Sequence, residues 1–186
     1  MMLIAHCAAT GKIREINTPD DSGITPLMFA AQKKDIKLIT ALLGAGADPA
    51  ARSNSGGNVL HHISTEIRIN QNKLVERKKK FFNTELENFL HQKINASQIE
   101  DLVKIFIARG ASVDDADSAG NTPALIAARE KNAPLVHLLL SQGANINAKN
   151  NDGYTLLHYA LQNKDTELSS FLIENGATLD AEDSSL

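Results

Sequence analysis

Apolar and polar positions recur along this chain in blocks of fixed length. Each block has a polar turn with a glycine, then a short helix rich in small residues, then a leucine-rich helix that ends at a Gly-Ala pair. The leucine-rich stretches are residues 38–43, 135–140 and 168–173. Gly120 and Gly153 are 33 residues apart. A fixed period of this length predicts an all-α solenoid, in which each unit buries its apolar face on the next.

The turn glycines divide the chain into four units within a single domain that covers residues 1–186. Residues 1–19 contain a short apolar helix and are expected to cap the first unit, and residues 183–186 form a polar tail. The second unit is longer, because Gly56 and Gly120 are 64 residues apart. We therefore place an insertion at about residues 65–97. The units are residues 20–52, 53–116, 117–149 and 150–182.

The start and the end of each predicted helix carry a local signal. Pro26 and Pro123 suit the first helical turn, where a missing backbone N–H costs nothing, and the preceding threonines can cap the helix. In the second unit Asn58 and Val59 stand in place of this Thr-Pro pair, so we expect less regular packing there. Glycines are expected to end the second helices in a left-handed conformation. They are Gly46, Gly110, Gly143 and Gly176.

The insertion has the composition of helices. Its apolar residues recur as a stripe, and residues 84–87 and 97–100 have capping-box spacing. We expect one or two inserted helices and then the second helix of the interrupted unit at about 98–108. The insertion either packs on the side of the stack or forms a partner surface, and its basic and aromatic residues suit an anionic surface or a solvated face. These residues are Arg77, Lys78, Lys79, Lys80, Phe81 and Phe82.

The repeated motif resembles the ankyrin repeat. Residues 23–31 (GITPLMFAA), 120–128 (GNTPALIAA) and 153–160 (GYTLLHYA) match its Gly-x-Thr-Pro-Leu-His-x-Ala-Ala stretch. Residues 42–48, 139–147 and 172–178 match its Leu-Leu-x-x-Gly-Ala ending. The resemblance implies an ankyrin-type α-solenoid of about four helix-turn-helix repeats with β-hairpin tips. It also implies that His61 and His158 are hydrogen-bonding spacers between repeats.

Composition narrows the range of functions. The net charge of −3 gives no reason to expect nucleic-acid binding, and no apolar run reaches the roughly 20 residues that cross a bilayer. Cys7 is the single cysteine, and residues 1–9 lack a basic leader. We expect a soluble, cytoplasmic monomer, for which membrane contact is not favoured.

Catalytic and metal-binding motifs do not stand out. The six histidines show no zinc-ligand spacing, and the chain contains neither a phosphate-binding loop nor a dinucleotide-binding glycine motif. We therefore expect a protein that is not an enzyme and that holds no cofactor and no metal.

The remaining hypothesis is a protein-binding module. The ankyrin resemblance implies a concave groove, with partner contacts at its tips and at the exposed ends of the first helices. Tyr154 and Arg129 are the strongest candidates, because tyrosine and arginine are enriched in interface hot spots. The alternatives are a targeting domain of a longer enzyme or bacterial effector, which would act in the host cytosol, and a membrane-surface adaptor that uses the insertion. The candidates are Asp21, Ser22, Ile24, Gln32, Lys33, Asn54, Ser55, Ser118, Asn121, Arg129, Glu130, Asn151, Asp152, Tyr154, Gln162 and Asn163.

Overall fold

A computed structural model describes residues 16–65 and 96–178. The predicted cap up to residue 15, the insertion surface at residues 77–82 and the tail from residue 179 lie outside these ranges. The described residues form eight helices, and the predicted all-α class is confirmed. The helices are α1 (Pro26–Gln32), α2 (Ile36–Gly44), α3 (Val59–Ser64), α4 (Ala96–Ala108), α5 (Pro123–Arg129), α6 (Ala133–Ser141), α7 (Leu156–Gln162) and α8 (Thr166–Glu174).

The helices form two layers. The inner layer contains α1, α3, α5 and α7, and each of these helices packs on the next. The second helix of each pair lies on its own inner helix, and α4 also contacts α6. Because consecutive pairs repeat the same contacts, the chain forms a stack rather than a closed bundle.

Small residues let the inner helices pack closely. Ala30, Ala31, Ala127 and Ala160 are fully buried, and Ala128 is almost so. Their short side chains bring neighbouring helices together, while leucines and Phe106 fill the space between the layers. The predicted division between small and leucine-rich positions is therefore confirmed.

The inner helices begin where the sequence predicts. The hydroxyls of Thr25 and Thr122 accept backbone N–H bonds at the first turn, and a proline follows each. Asn58 caps α3 in the same way, and His61 completes a capping box with it. Within α3 itself, Leu60 and its apolar neighbours are buried. The contact between α3 and its outer helix α4 is much smaller than in the other three pairs, in agreement with the less regular packing expected for the second unit.

Each outer helix ends at a left-handed glycine, as predicted. At the end of α2, the Ala47 N–H donates to the Leu42 carbonyl over 2.9 Å. The equivalent bonds at the three other ends are 3.0, 3.0 and 2.9 Å long. These bonds satisfy carbonyls that the helix itself cannot pair.

The tips before the inner helices are tight turns. In the first of them the Asp20 N–H donates to the Ile24 carbonyl over 3.0 Å, and the Gly23 N–H donates to the Asp20 carbonyl over 2.9 Å. In residues 16–65 and 96–178 no β-strand flanks these turns. In these ranges the predicted β-hairpins therefore have their turns but no flanking strands.

Candidate functional site

Hydrogen bonds join the four tips into one continuous edge. A backbone N–H of each later tip donates to a carbonyl of the tip before it. These bonds hold neighbouring turns in a fixed register, so side chains at equivalent positions form rows. The bonds run from Asn54 to Ser22 (3.0 Å), from Ser118 to Ser55 (2.7 Å) and from Asn151 to Ala119 (3.0 Å).

The shape of three tips is set by the side chain of their first residue. The Asp20 carboxylate accepts the N–H groups of Ser22 and Ile24, both over 2.9 Å. Asp117 accepts two amides over 2.9 and 2.8 Å, and Asn150 accepts two over 3.1 and 2.9 Å. These bonds stabilise the turns in one conformation, and a partner would meet a surface that is already ordered.

Most of the candidate tip residues are exposed, and Ile24 is half-buried. Two of the exposed residues also stabilise the edge. The side-chain amide of Asn54 donates to the Asp21 carbonyl over 2.9 Å, and that of Asn151 donates to the Ser118 carbonyl over 3.1 Å. The exposed tip residues are Asp21, Ser22, Asn54, Ser55, Ser118, Asn151 and Asp152.

The predicted exposure of Asn121 is wrong. Its side chain is only 6% exposed. Its Oδ1 atom accepts the Asn150 side-chain amide over 3.0 Å, and its Nδ2 atom faces the Asp117 carboxylate. Burial here follows from the bond to the next tip, which the position of Asn121 in its own turn does not reveal. Asn121 supports the tips from below and offers no surface to a partner.

Tyr154 is half-buried rather than fully exposed. Its ring stacks on Tyr159 with centroids 5.4 Å apart, and it meets His158 edge-on at 5.7 Å. Tyr159 is almost fully buried and its hydroxyl lies 3.3 Å from the Asn150 amide, and burial raises the pKa of this phenol. The two tyrosines form a stacked aromatic pair where the fourth tip meets α7.

The candidates at the ends of the inner helices differ in their exposure and in their bonds to other residues. Gln32, Lys33, Arg129 and Gln162 are exposed, whereas Glu130 and Asn163 are half-buried. The Arg129 guanidinium lies 3.4 Å from the Glu130 carboxylate. The Asn163 amide donates to the Ala128 carbonyl over 2.8 Å and so links α7 to α5. Arg129 is an exposed cation that pairs with Glu130, and Asn163 is part of the stack.

One row of residues escaped the sequence analysis. Phe29, His62, Ile126 and Tyr159 occupy the same position on the four inner helices. Phe29 is 51% exposed, and the Lys33 ammonium lies 5.4 Å from its ring centroid. The signal was the residue six positions after the turn glycine, which is large in every repeat.

Two adjacent histidines lie at the junction of the second and third pairs. Burial lowers the pKa of both His61 and His62. The Nε2 atom of His62 is buried and has no hydrogen-bond partner among the residues that the structure describes. Both rings are therefore held in their neutral form at pH 7.

Two general features of the described residues bear on function. Within residues 16–65 and 96–178, no group of three or more His, Cys, Asp and Glu residues is arranged to hold a metal ion. In the same ranges no helix has the length and apolarity needed to span a bilayer. What the described geometry offers is a surface built from turns and helix ends.

Comparisons with known proteins agree with the repeat pattern. The family "Ankyrin repeats (3 copies)" matches residues 90–183, and the family "Ankyrin repeat" matches residues 22–54. The phosphocholine transferase AnkX of Legionella pneumophila is 31% identical over 118 residues, which are 60% of this chain and 12% of that protein. The mouse ankyrin repeat domain-containing protein SOWAHD is 34% identical over 61 residues, which are 32% of this chain and 19% of that protein. The chain thus matches a small part of each of these relatives.

Proposed function

Because the chain belongs to the ankyrin repeat family, we propose that it is a non-enzymatic module that binds a partner protein along its tips and inner-helix ends. Ankyrin repeats serve protein–protein interaction in general, and the fold alone does not name the partner. We further propose that it acts as a cytoplasmic monomer without a cofactor.

The observation that supports this proposal most is the hydrogen-bonded edge of the four tips. Ser22, Ser118 and Asp152 lie along it with exposed side chains, and none of these side chains makes a hydrogen bond with a described residue. The backbone beneath them is bonded within each turn and between turns. A partner that contacts this edge loses little entropy in ordering it.

The stacked tyrosines at the fourth tip and the arginine at the end of α5 support the same proposal. Tyr154 and Arg129 combine aromatic area and positive charge, which are enriched at interface hot spots. The ring of Tyr154 is held by its stack on Tyr159. We propose that the half of Tyr154 that remains exposed is the central contact.

A pair of triple variants tests the proposal. The tip variant combines Ser22→Arg, Ser118→Arg and Asp152→Lys. The control variant makes the same chemical changes on exposed outer-layer sites, as Ser141→Arg, Ser170→Arg and Asp101→Lys. Affinity capture quantified by mass spectrometry should recover specific partners with the wild type and the control but not with the tip variant. Equal recovery by all three proteins would refute the proposed surface.

A second candidate is a targeting part of a longer effector, which the similarity to part of AnkX favours. In that case the repeats would bring an enzymatic domain to its substrate in a host cytosol. A reporter protein fused to this chain should localise in host cells with its partner, and the tip variant should lose that localisation. A fusion that remains diffuse would refute this role.

We also propose the insertion at about residues 65–97 as a second surface, through Arg77 and the following basic and aromatic residues to Phe82. Partner capture should fall when Lys78, Lys79 and Lys80 are all changed to Glu. If the insertion contacts a membrane instead, this variant should lose co-sedimentation with anionic liposomes and keep its partner.

A further inference from the structure

A row of lysines marks the turns between the inner and outer helices. Lys34, Lys131 and Lys164 occupy the same position in three repeats. Their φ angles are 54°, 61° and 58°, so all three are left-handed. The equivalent position of the second repeat lies outside the described residues.

A lysine is an unfavourable choice for this backbone conformation. The left-handed region brings Cβ too close to the following carbonyl, and glycine avoids that strain. The chain nevertheless carries lysine at all three described positions. Strain kept at equivalent sites is a reason to look for a function of the side chains.

The three ammonium groups are available to a ligand. None of them makes an ion pair or a hydrogen bond with a residue in the described ranges. Lys131 and Lys164 are exposed and Lys34 is half-buried. The neighbouring carboxylates of Asp35 and Asp165 are engaged as helix caps, where they accept backbone N–H groups over 3.0 Å.

The lysine row and the tips lie at opposite ends of the inner helices. The tips carry exposed carboxylates at Asp21 and Asp152. The turns that hold the lysine row also carry Asp35, Glu130 and Asp165, but with Lys33 and Arg129 their positive charges outnumber the negative ones, so this edge is the more basic of the two. A partner that contacts the basic edge must bring negative charge to it. The net charge of −3 repels large polyanions in general. A short acidic segment that contacts only the lysines is therefore the favoured ligand.

We propose that the lysine row, defined as Lys34, Lys131 and Lys164, binds an acidic segment of a partner protein in an extended conformation. Helices that pack on each other lie about 10 Å apart. In polyproline II, an extended conformation with three residues per turn, three residues span about 9 Å and bring the side chain back to the same face. Acidic residues three positions apart would therefore meet Lys131 and Lys164. An acidic residue six positions from the one at Lys131 would meet Lys34, because the second repeat lies between these two lysines. This inference rests on the proposed function and specifies the chemistry of its partner.

The probe is a fluorescein-labelled synthetic peptide with glutamate at every third position and glycine or serine between. The lysine variant is Lys34→Gly, Lys131→Gly and Lys164→Gly, which removes the charges and relieves the backbone strain, so it remains folded. The control is Lys37→Gln, Lys104→Gln and Lys149→Gln, which changes the net charge equally. Fluorescence anisotropy at low salt should show affinity about tenfold weaker for the lysine variant and nearly unchanged for the control.

Three results would overturn the inference. The first is an equal loss of affinity in the control variant, which would mean that net charge alone attracts the peptide. The second is equal binding of a peptide in which the same glutamates are adjacent. The third is tighter, lysine-dependent binding of oligo-dT or of phosphatidylserine vesicles, which would assign the row to another polyanion.

Partner capture separates this inference from the proposed function. If the tip variant loses the partner and the lysine variant retains it, the lysine row is not the partner site and the proposed function stands. If both variants lose the partner, both proposals are supported. If neither loses it, both are wrong.

Discussion

The Nε2 atom of His61 lies 3.0 Å from the backbone oxygen of Asn121, so one imidazole joins the second helix pair to the third tip. The Nδ1 atom of the same ring lies 3.0 Å from the Asn58 N–H. Because Nδ1 accepts that bond, the proton is on Nε2, which donates to Asn121. The spacer role implied for this histidine thus takes the form of one acceptor and one donor used at once.

Replacement of His61 by Phe should destabilise the stack. The change keeps a ring of similar size but leaves the Asn58 N–H unpaired in a buried site. It also removes one of the two donors to the Asn121 carbonyl, which still accepts the Asp117 N–H. We expect a loss of about 2 kcal/mol in the free energy of unfolding, measured by urea denaturation. The control is His137→Phe on α6, whose ring meets Phe171 edge-on at 4.1 Å. A loss no larger than that of the control would contradict the bridging role.

The free energy of unfolding should fall as the pH is lowered below 6.5, the ordinary pKa of histidine. Burial lowers the pKa of His61 against the opposing effects of its hydrogen bond to Asn121 and of the Asp117 and Asp115 charges. Burial also lowers the pKa of His62, together with the neighbouring His61. The unfolded chain therefore binds more protons than the folded chain below that pH, so acid favours unfolding. Tm should be highest above pH 6.5 and should decrease from there towards the lowered folded pKa values.

The histidine origin of this pH dependence can be separated from that of the carboxylates. The double variant His61→Gln and His62→Gln should have a lower Tm at neutral pH and a flatter Tm profile between neutral and mildly acidic pH. An unchanged slope in this variant would assign the effect to other groups.

Gly120 and Gly153 occupy the same position in successive tips, and both have a positive φ, of 77° and 84°. A Cβ on Gly120 would lie 2.5 Å from Asn151 Oδ1 and 2.7 Å from its backbone nitrogen, whereas a Cβ on Gly153 meets no described atom within 4 Å. Gly153→Ala should cost about 1 kcal/mol from the left-handed backbone. Gly120→Ala should cost a further 1–3 kcal/mol or so from overpacking.

Thermal and urea unfolding of the two alanine variants provides the measurement. The difference between them isolates the contact between the third and fourth tips, since the backbone strain is common to both. Equal losses would mean that the tips are not packed as described.

The bond that an asparagine side chain makes to the preceding tip should form at another tip when an asparagine is introduced there. Asn151→Ala removes the donor to the Ser118 carbonyl and should cost about 0.5–1 kcal/mol. Ser118 occupies the equivalent position one tip earlier and lacks a side-chain amide. Ser118→Asn should therefore add a bond to the preceding tip and raise the free energy of unfolding by about 0.5 kcal/mol. Destabilisation by Ser118→Asn would show that the second and third tips are spaced differently.

Lys131→Gly should stabilise the fold even though it removes a side chain. The left-handed backbone costs a lysine about 1–2 kcal/mol, and glycine avoids this strain. About 0.4–1 kcal/mol of the gain is lost again, because glycine gives the unfolded chain more conformational entropy. We expect a net gain of about 0.5 kcal/mol by urea denaturation. Lys131→Ala is the control, because it keeps Cβ and should bring no such gain.

Much of the architecture could be read from local signals. Thr25 and Pro26 specify a helix start through one cap and one fixed φ angle, and both features depend only on neighbours in sequence. The Gly-Ala endings specify the helix ends for the same reason. The 33-residue period then places the alanines of one unit beside those of the next, which is why the inner layer was predicted correctly.

The candidate site was harder to predict, because contacts between repeats decide which side chains are exposed. Asn121 and Asn151 both lie in polar turns, yet the first is buried under the Asn150 amide and the second is exposed. The stack of Tyr154 on Tyr159 likewise joins a tip to a helix. No local pattern distinguishes these cases.

The sequence by itself determined the period, the order of the helices and the residues that begin and end them, because each depends on backbone preferences within a few residues. Only the tertiary structure decided which tip residues are free, which asparagines and histidines link repeats, and where lysines remain left-handed. These outcomes depend on atoms one repeat away, at distances set by how closely the inner helices stack.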